Sequence, residues 1–300
     1  MMIQTFPVSY VEPVFRPPSE ARSLIFQVTN GCSWNRCSYC EMYTDPQKKF
    51  RARAEAELLA EIRACGEQGV AARRVFLADG DALVLSMRRL RNILAEIRSS
   101  LPSVSRVSSY CLPSNLKNKS DEDLQELESL GLKVIYVGAE SGDDAVLQRV
   151  GKGETYATTA NALLRARAAG IKTSVMILNG IGGRHYSEQH ALASARLVND
   201  TQPDYLATLV LTFYRGAERF IAGFNGEFEE QNTVELCREM KTFLGATELA
   251  NTIFRSDHVS NHLILKGVLG KDRTRLLQQI DDSIVFFNNH PEFEHGNLQY

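Results

Sequence analysis

The stretch "SDEDLQELESLGLKVIYVGAESG", residues 120–142, holds one complete helix-to-strand unit. Ser120 followed by Asp123 has the spacing of a capping box, in which a hydroxyl and a carboxylate satisfy each other's free backbone N–H groups. Leu124, Leu127 and Leu130 fall on one helical face, and Gly131 closes the helix because glycine tolerates the left-handed conformation of a C-terminal cap. The run from Val134 to Gly138 follows at once. It is apolar and β-branched, and its length suits a strand buried on both faces.

The same alternation extends in both directions. Strands are expected at Ser23 to Val28, Arg74 to Ala78, Arg106 to Tyr110, Thr173 to Leu178 and Tyr205 to Thr212. Between them, Leu58, Ile62 and Cys65 share a helical face ended by Gly66 and Gly69. Met87, Leu90, Ile93, Leu94 and Ile97 mark a second helix, halted before Pro102. Another helix ends at Gly170, and one from about Ser187 to Asn199 precedes Pro203. Six βα units on a parallel sheet account for this rhythm, an α/β fold. Four prolines in the first eighteen residues make residues 1–21 an extended arm. Beyond Tyr214 the rhythm loosens. "GAERFIAGFNGEFEEQ", residues 216–231, reads as loop, and helices are expected near Thr233 to Leu244 and Asp272 to Asn289, the second with Leu276, Ile280, Ile284 and Phe287 on one stripe.

Composition narrows the function. With 34 basic and 36 acidic residues in 300, the net charge is −2, so no global positive field recruits a phosphate backbone and nucleic acid is not indicated as a partner. The first twenty residues lack the charged start and apolar core of a signal peptide, and no apolar run reaches bilayer length; the expectation is a cytoplasmic protein without a membrane partner. Six cysteines, three of them clustered, do not resemble a secreted disulfide framework, and a reducing compartment leaves them as thiols.

The cluster lies in "NGCSWNRCSYCEMY", residues 30–43, which places Cys32, Cys37 and Cys40 on a polar, glycine-led loop after a strand. Buried structural cysteines have no need of such a loop. A structural zinc site wants four ligands, usually as two close pairs, and here there is one triplet with no histidine nearby. A plant-type two-iron ferredoxin shares the C-x4-C-x2-C spacing and adds a fourth cysteine. Cys65 is the candidate for it, but it lies on an apolar helix face. The remaining reading treats the missing ligand as functional: three thiolates hold three irons of a 4Fe-4S cluster and one iron keeps an open coordination position.

At these residues the chain resembles the radical S-adenosylmethionine (radical SAM) superfamily, whose cluster loop follows the first strand of a partial βα barrel. The usual spacing there is C-x3-C-x2-C, one residue shorter in the first gap, and Tyr39 matches the aromatic position before the last cysteine. The segment "VIYVGAESGDDAVLQRVGKG", residues 134–153, closely resembles the superfamily's G-x-E-S-G segment and the VL and KG that follow it. The resemblance spans residues 22–215 and implies a partial, six-unit parallel βα barrel, with residues 216–300 as a mainly helical C-terminal extension that closes it. It implies a 4Fe-4S cluster and S-adenosylmethionine as cofactors and a flavodoxin or ferredoxin as electron donor. Cys32, Cys37 and Cys40 become the metal ligands.

Functional groups of parallel βα barrels gather at the carboxyl ends of the strands, so each strand end is a separate test. "FLADGDAL" places Asp79, Gly80 and Asp81 where the superfamily has a turn that receives the cofactor's ammonium, and a carboxylate is the natural partner of an ammonium. Glu140 and Ser141 are carried over as cofactor contacts, and Arg149 as a partner for the cofactor carboxylate; without the resemblance Ser141 or Asp143 is a helix N-cap. Gly180, Ile181 and Gly182 in "ILNGIGGRHYSEQH" fit a turn whose backbone lies against adenine. Their spacing is not that of a dinucleotide or triphosphate loop.

On the substrate side, Tyr110 and Cys111 end the third strand. A thiol there can donate a hydrogen atom to a substrate radical, or simply fill a core. "IFRSDHVSNHLILKGVLGKD", residues 253–272, crowds polar groups that either line a wet cavity or form a surface loop. Arg255, His258 and Asn261 are candidate substrate-binding groups, and Cys111 and His258 are candidate catalytic residues. The expected reaction is reductive cleavage of S-adenosylmethionine to a 5'-deoxyadenosyl radical that abstracts a hydrogen atom from a small-molecule substrate. The alternatives are an electron-transfer or structural iron–sulfur protein, which needs a fourth cysteine ligand, and an RNA-modifying enzyme of the same chemistry.

Overall fold

The protein is seen in a computed structural model that describes residues 6–290 and Glu292. Residues 1–5 of the expected arm, and 291 and 293–300 of the expected extension, lie outside the described residues. The first half contains β1 (Leu24–Gln27), β2 (Thr29–Asn30), β3 (Arg51–Ala52), α1 (Glu55–Glu67), β4 (Arg74–Ala78), α2 (Met87–Ser100), β5 (Arg106–Tyr110), α3 (Pro113–Leu116), α4 (Asp121–Ser129) and β6 (Leu132–Glu140). The second contains α5 (Asp144–Arg149), α6 (Tyr156–Ala168), β7 (Lys172–Asn179), α7 (Gly183–Thr201), β8 (Tyr205–Val210), α8 (Glu218–Gly223), α9 (Thr233–Gly245), β9 (Ile253–Ser256), β10 (Leu265–Val268) and α10 (Arg273–Asn289).

Eight strands form one sheet in the order β1-β4-β5-β6-β7-β8-β9-β10, and β2 pairs with β3 apart from it. The pairs β1/β4, β4/β5, β5/β6, β7/β8 and β8/β9 are parallel, and β10 runs antiparallel to β9. The helix that opened the sequence reading is capped as expected: Asp123 N–H donates to Ser120 Oγ at 3.1 Å and Ser120 N–H to Asp123 Oδ2 at 3.0 Å.

The chain divides into two compact units. One comprises the chain up to Asn35, Met42–Val137 and Leu164–Thr173; the other comprises Arg36–Glu41, Gly138–Leu163 and the chain from Ser174. In the first, Ile25, Phe76 and Ala78 form a buried cluster covered by Tyr10, Val14, Tyr110 and Tyr136. The N-terminal arm is fastened to β1: Tyr10 Oη donates to Ile25 O, and the Gln27 amide accepts from Val11 N and donates to Val11 O. In the second unit Val146, Val150, Leu178, Ile181, Phe220 and Phe224 make the core, and α9 packs against α7 and α10.

Three expectations need correction. Residues 216–231 are not loop throughout. Glu218–Gly223 is helical because Phe220 and Phe224, spaced four apart, insert one face into that core. The helix expected from Ser187 begins at Gly183, inside the glycine turn. Residues 253–272 contain two short strands joined by a loop, and the half-exposed pattern of β9 (Ile253 and Arg255 outward, Phe254 and Ser256 inward) is too brief to show as periodicity.

Candidate functional site

The first unit carries one end of the cysteine loop and the acidic turn after β4. Asp81, fully buried, accepts from Ser33 N at 2.8 Å, from Ser33 Oγ and from Asn115 Nδ2 at 3.2 Å. Burial pushes its carboxyl pKa up, against the hydrogen bonds from Ser33 and Asn115. Its oxygens are therefore committed to the residue after Cys32. Gly80 makes this approach possible: a Cβ there would lie 2.8 Å from Cys32 Cβ and 2.8 Å from the Tyr43 ring. Asp79 is paired differently. Its Oδ2 accepts from Lys48 Nζ at 2.6 Å and from Gln27 Nε2 at 3.0 Å, with both ionic side chains fully buried. Its Oδ1 is buried without a hydrogen-bond partner.

The second unit carries Cys37, Tyr39 and Cys40. Lys152 Nζ donates to Tyr39 Oη at 3.2 Å and to Glu140 Oε1 at 3.4 Å. Burial disfavours the Lys152 ammonium, but Glu140 and the thiols of Cys37 and Cys40 outweigh it and hold the pKa above the usual lysine range. Burial likewise pushes the Cys37 thiol up, opposed by Lys152, so a metal must displace its proton on binding. Glu140 has φ +65°, a conformation rare outside glycine, and its carboxylate folds back over Gly138, where a Cβ would lie 2.1 Å from Oε1. The glycine of the G-x-E segment thus makes room for its glutamate. Arg219 donates to the carbonyls of Cys37, Ser38 and Cys40.

Ser141 opens a buried polar chain. Its Oγ shares a 2.7 Å hydrogen bond with His190 Nδ1 on α7 and accepts from Asp143 N at 3.0 Å. His190 Nε2 lies 3.7 Å from Glu239 Oε1 on α9, and that oxygen accepts from Gly180 N at 2.7 Å. Gly180 sits at φ +87°, in the left-handed region that favours glycine, and a Cβ there would lie 2.8 Å from Leu236 Cδ2. Burial lowers the His190 pKa, with Glu239 and Asp143 opposing. A histidine depressed in the folded state takes its proton first in the unfolded state, so stability is full above pH about 6.5 and falls as the pH drops towards the folded value. The expected slope there is up to about 1.4 kcal/mol per pH unit in denaturant midpoints. His190→Gln should flatten it, and an unchanged slope would assign the effect elsewhere.

The remaining sequence candidates are dispersed. Ile181 is a core side chain, and Gly182 caps α7. The Arg149 guanidinium stacks on Tyr186, 4.4 Å from the ring centroid. Tyr110 joins Phe76 and Tyr136 in an edge-to-face aromatic group. Cys111 is buried, with Sγ 3.2 Å from Leu112 O. Arg255 is exposed and donates to Phe254 O, and His258 Nδ1 is bonded to Ser260 Oγ at 2.8 Å. Asn261 spends its amide on β8, accepting from Val210 N and donating to Thr208 O, both at 2.9 Å. It also borders a cavity of about 20 Å³ with Asn179, Cys237 and His262, room for water but not for a metabolite. Among the described residues no group of three or more His, Cys, Asp or Glu stands gathered for a metal ion, and no helix is long and apolar enough to cross a membrane.

Lys48, Lys152, His190, Arg219 and Glu239 were not singled out from the sequence. Lys152 had a signal in the quoted "GKG". The others are lone polar residues, and the partners described above lie 31 to 182 positions away.

Comparison with known proteins places this geometry. The family model of the radical SAM superfamily matches residues 26–198. The chain is 22% identical over 166 residues to the heme chaperone HemW of Bacillus subtilis (strain 168), covering 53% of this chain and 43% of HemW. Among solved structures it is similar to the radical S-adenosylmethionine methyltransferase TsrM of Kitasatospora setae, whose structure holds cobalamin and a [4Fe-4S] cluster (TM-score 0.51, 23% identity, 63% of this chain and 34% of that one). It is also similar to methylornithine synthase, PylB (TM-score 0.51, 14% identity, 89% and 81%). The chain thus spans less than half the length of HemW and of TsrM, and the likeness to the solved structures is one of fold, the α/β partial barrel. The match over more than half of its residues, from β1 through α7, shows that the chain belongs to the radical SAM superfamily.

Proposed function

We propose that the protein holds a 4Fe-4S cluster on Cys32, Cys37 and Cys40, binds S-adenosylmethionine, and uses the pair to remove a hydrogen atom from a small-molecule substrate. The observation that carries the reading is the superfamily match, which contains the whole cysteine loop and both acidic strand ends. When bound, these groups supply one-electron cleavage of the cofactor's carbon–sulfur bond, with a flavodoxin or ferredoxin as electron source.

The donor set suits the cluster. Three thiols within nine positions are soft ligands, and Lys152 places a cation beside two of them that offsets the negative charge of thiolates. Asp81 holds the Cys32 end of the loop through Ser33. Because its oxygens are filled, Asp79 is the better acceptor for the cofactor ammonium, and its buried, unpartnered Oδ1 supports that role. In the second unit Glu140 and Ser141 are the proposed cofactor contacts, and Glu239 fixes the turn at Gly180 through its backbone N–H. Residues 22–215 are the catalytic partial barrel in this reading and residues 216–300 a C-terminal extension that closes it.

Anaerobic reconstitution, followed by reduction with S-adenosylmethionine, is expected to give about four irons per chain and release 5'-deoxyadenosine. Full cluster loading with no cleavage product would instead favour an electron-transfer protein.

A further inference from the structure

We propose that Arg219 is the positioning residue of the cluster loop: it shapes the Cys37–Cys40 half before any metal arrives and leaves a fixed positive charge beside the cluster. The second clause rests on the cluster reading above; the first does not.

The geometry is specific to a guanidinium. Arg219 Nη2 donates to Cys37 O and, at 2.7 Å, to Cys40 O, while Nε donates to Ser38 O at 3.2 Å. Three carbonyls from four consecutive residues converge on one planar fork. A lysine ammonium cannot reproduce that spread of donors, although it keeps the charge. The turn so formed is closed by Cys40 N donating to Cys37 O at 3.2 Å, and its outer side is pinned by Ser38 N donating to Val150 O at 2.9 Å.

Arg219 is itself held in place. The next residue, Phe220, and Phe224 one turn later are both essentially inaccessible and pack among Val146, Val150, Leu178 and Ile181. Burial of both rings anchors the short helix α8 through its aromatic side chains, while Arg219 beside them stays exposed. Loops are more mobile than the elements they connect, and charge-assisted hydrogen bonds are the strong ones that restrain them. The charge acts after loading. A cation near an iron–sulfur cluster favours the reduced, more negative state and raises its reduction potential.

Hydrogen exchange of the metal-free full chain tests the first clause. The amides of Ser38 and Cys40 report the loop, and those of α9 report the fold. Arg219→Gln is expected to speed loop exchange roughly tenfold or more with α9 unchanged. Wild-type loop exchange in this variant overturns the proposal. If Arg219→Gln also loosens α9, Arg219→Lys decides: faster loop exchange over an intact α9 supports the clamp, and unchanged loop exchange overturns it. In the loaded protein, the cluster potential should fall in Arg219→Gln and stay near wild type in Arg219→Lys. Equal potentials in all three chains remove the electrostatic clause. A wild-type chain that takes up no iron–sulfur cluster sinks the cofactor reading and leaves the exchange result standing.

Discussion

Replacing Cys32, Cys37 or Cys40 by alanine, one at a time, is expected to abolish the iron–sulfur absorption of the reconstituted protein, while Cys65→Ala, Cys111→Ala and Cys237→Ala retain it. The two sets differ in environment. Cys32 and Cys40 are partly exposed, and all three cluster cysteines lie on a short loop. Cys65, Cys111 and Cys237 are buried, and burial pushes the thiols of Cys65 and Cys237 up to about 11. Standing singly in separate segments, away from the loop and from the Lys152 ammonium that opposes the rise at Cys37, these thiols behave as small apolar groups; removing one costs on the order of 1 kcal/mol of packing. With only three protein ligands to a cluster, each is indispensable. Cluster loss in any variant of the second set would mean four thiolate ligands, and the open coordination position would be gone. Retention of the cluster in a variant of the first set would remove that cysteine from the site.

Lys48→Ala is expected to be the most destabilising single charge removal, by about 3–5 kcal/mol in urea unfolding, because it leaves Asp79 buried without its counter-ion. Lys48 Nζ also donates to Val11 O at 2.8 Å, so the same change loosens the N-terminal arm from β1. The double variant Lys48→Met, Asp79→Asn separates these effects. It removes the uncompensated charge and should recover most of the lost stability, since a buried pair replaced as a whole costs little. A Lys48→Ala protein within about 1 kcal/mol of wild type would show that Asp79 is solvated or protonated once the lysine is gone.

These two outcomes bear on different levels of the molecule, and so does what the sequence discloses about them. The strands at Arg74–Ala78 and Arg106–Tyr110 and the box at Ser120 and Asp123 are legible because they depend on local rules: burial on both faces, helix periodicity, and an N-cap three residues from its partner. The cysteine triplet and the Gly138-to-Gly142 segment are legible for a related reason. Their chemistry is packed into nine and five consecutive positions, so no tertiary knowledge is needed to group them. α8 was not legible, since a six-residue segment is too short to be helical alone and becomes a helix only when Phe220 and the C-cap Phe224 find the core waiting for them.

Side-chain roles divide along the same line. The sequence by itself determined the α/β alternation, the family and the residue types that bear its chemistry. Only the tertiary structure decided which carboxylate is already occupied, Asp81 by Ser33 and Asn115 and one oxygen of Asp79 by Lys48. It also brought Lys152 and Arg219 to the cysteine loop and joined Ser141 to His190. The reason is physical. A strand or a cap is stabilised by neighbours a few residues away, whereas a buried charge is stabilised by whichever opposite group the fold delivers to it, and sequence distance carries no record of that pairing.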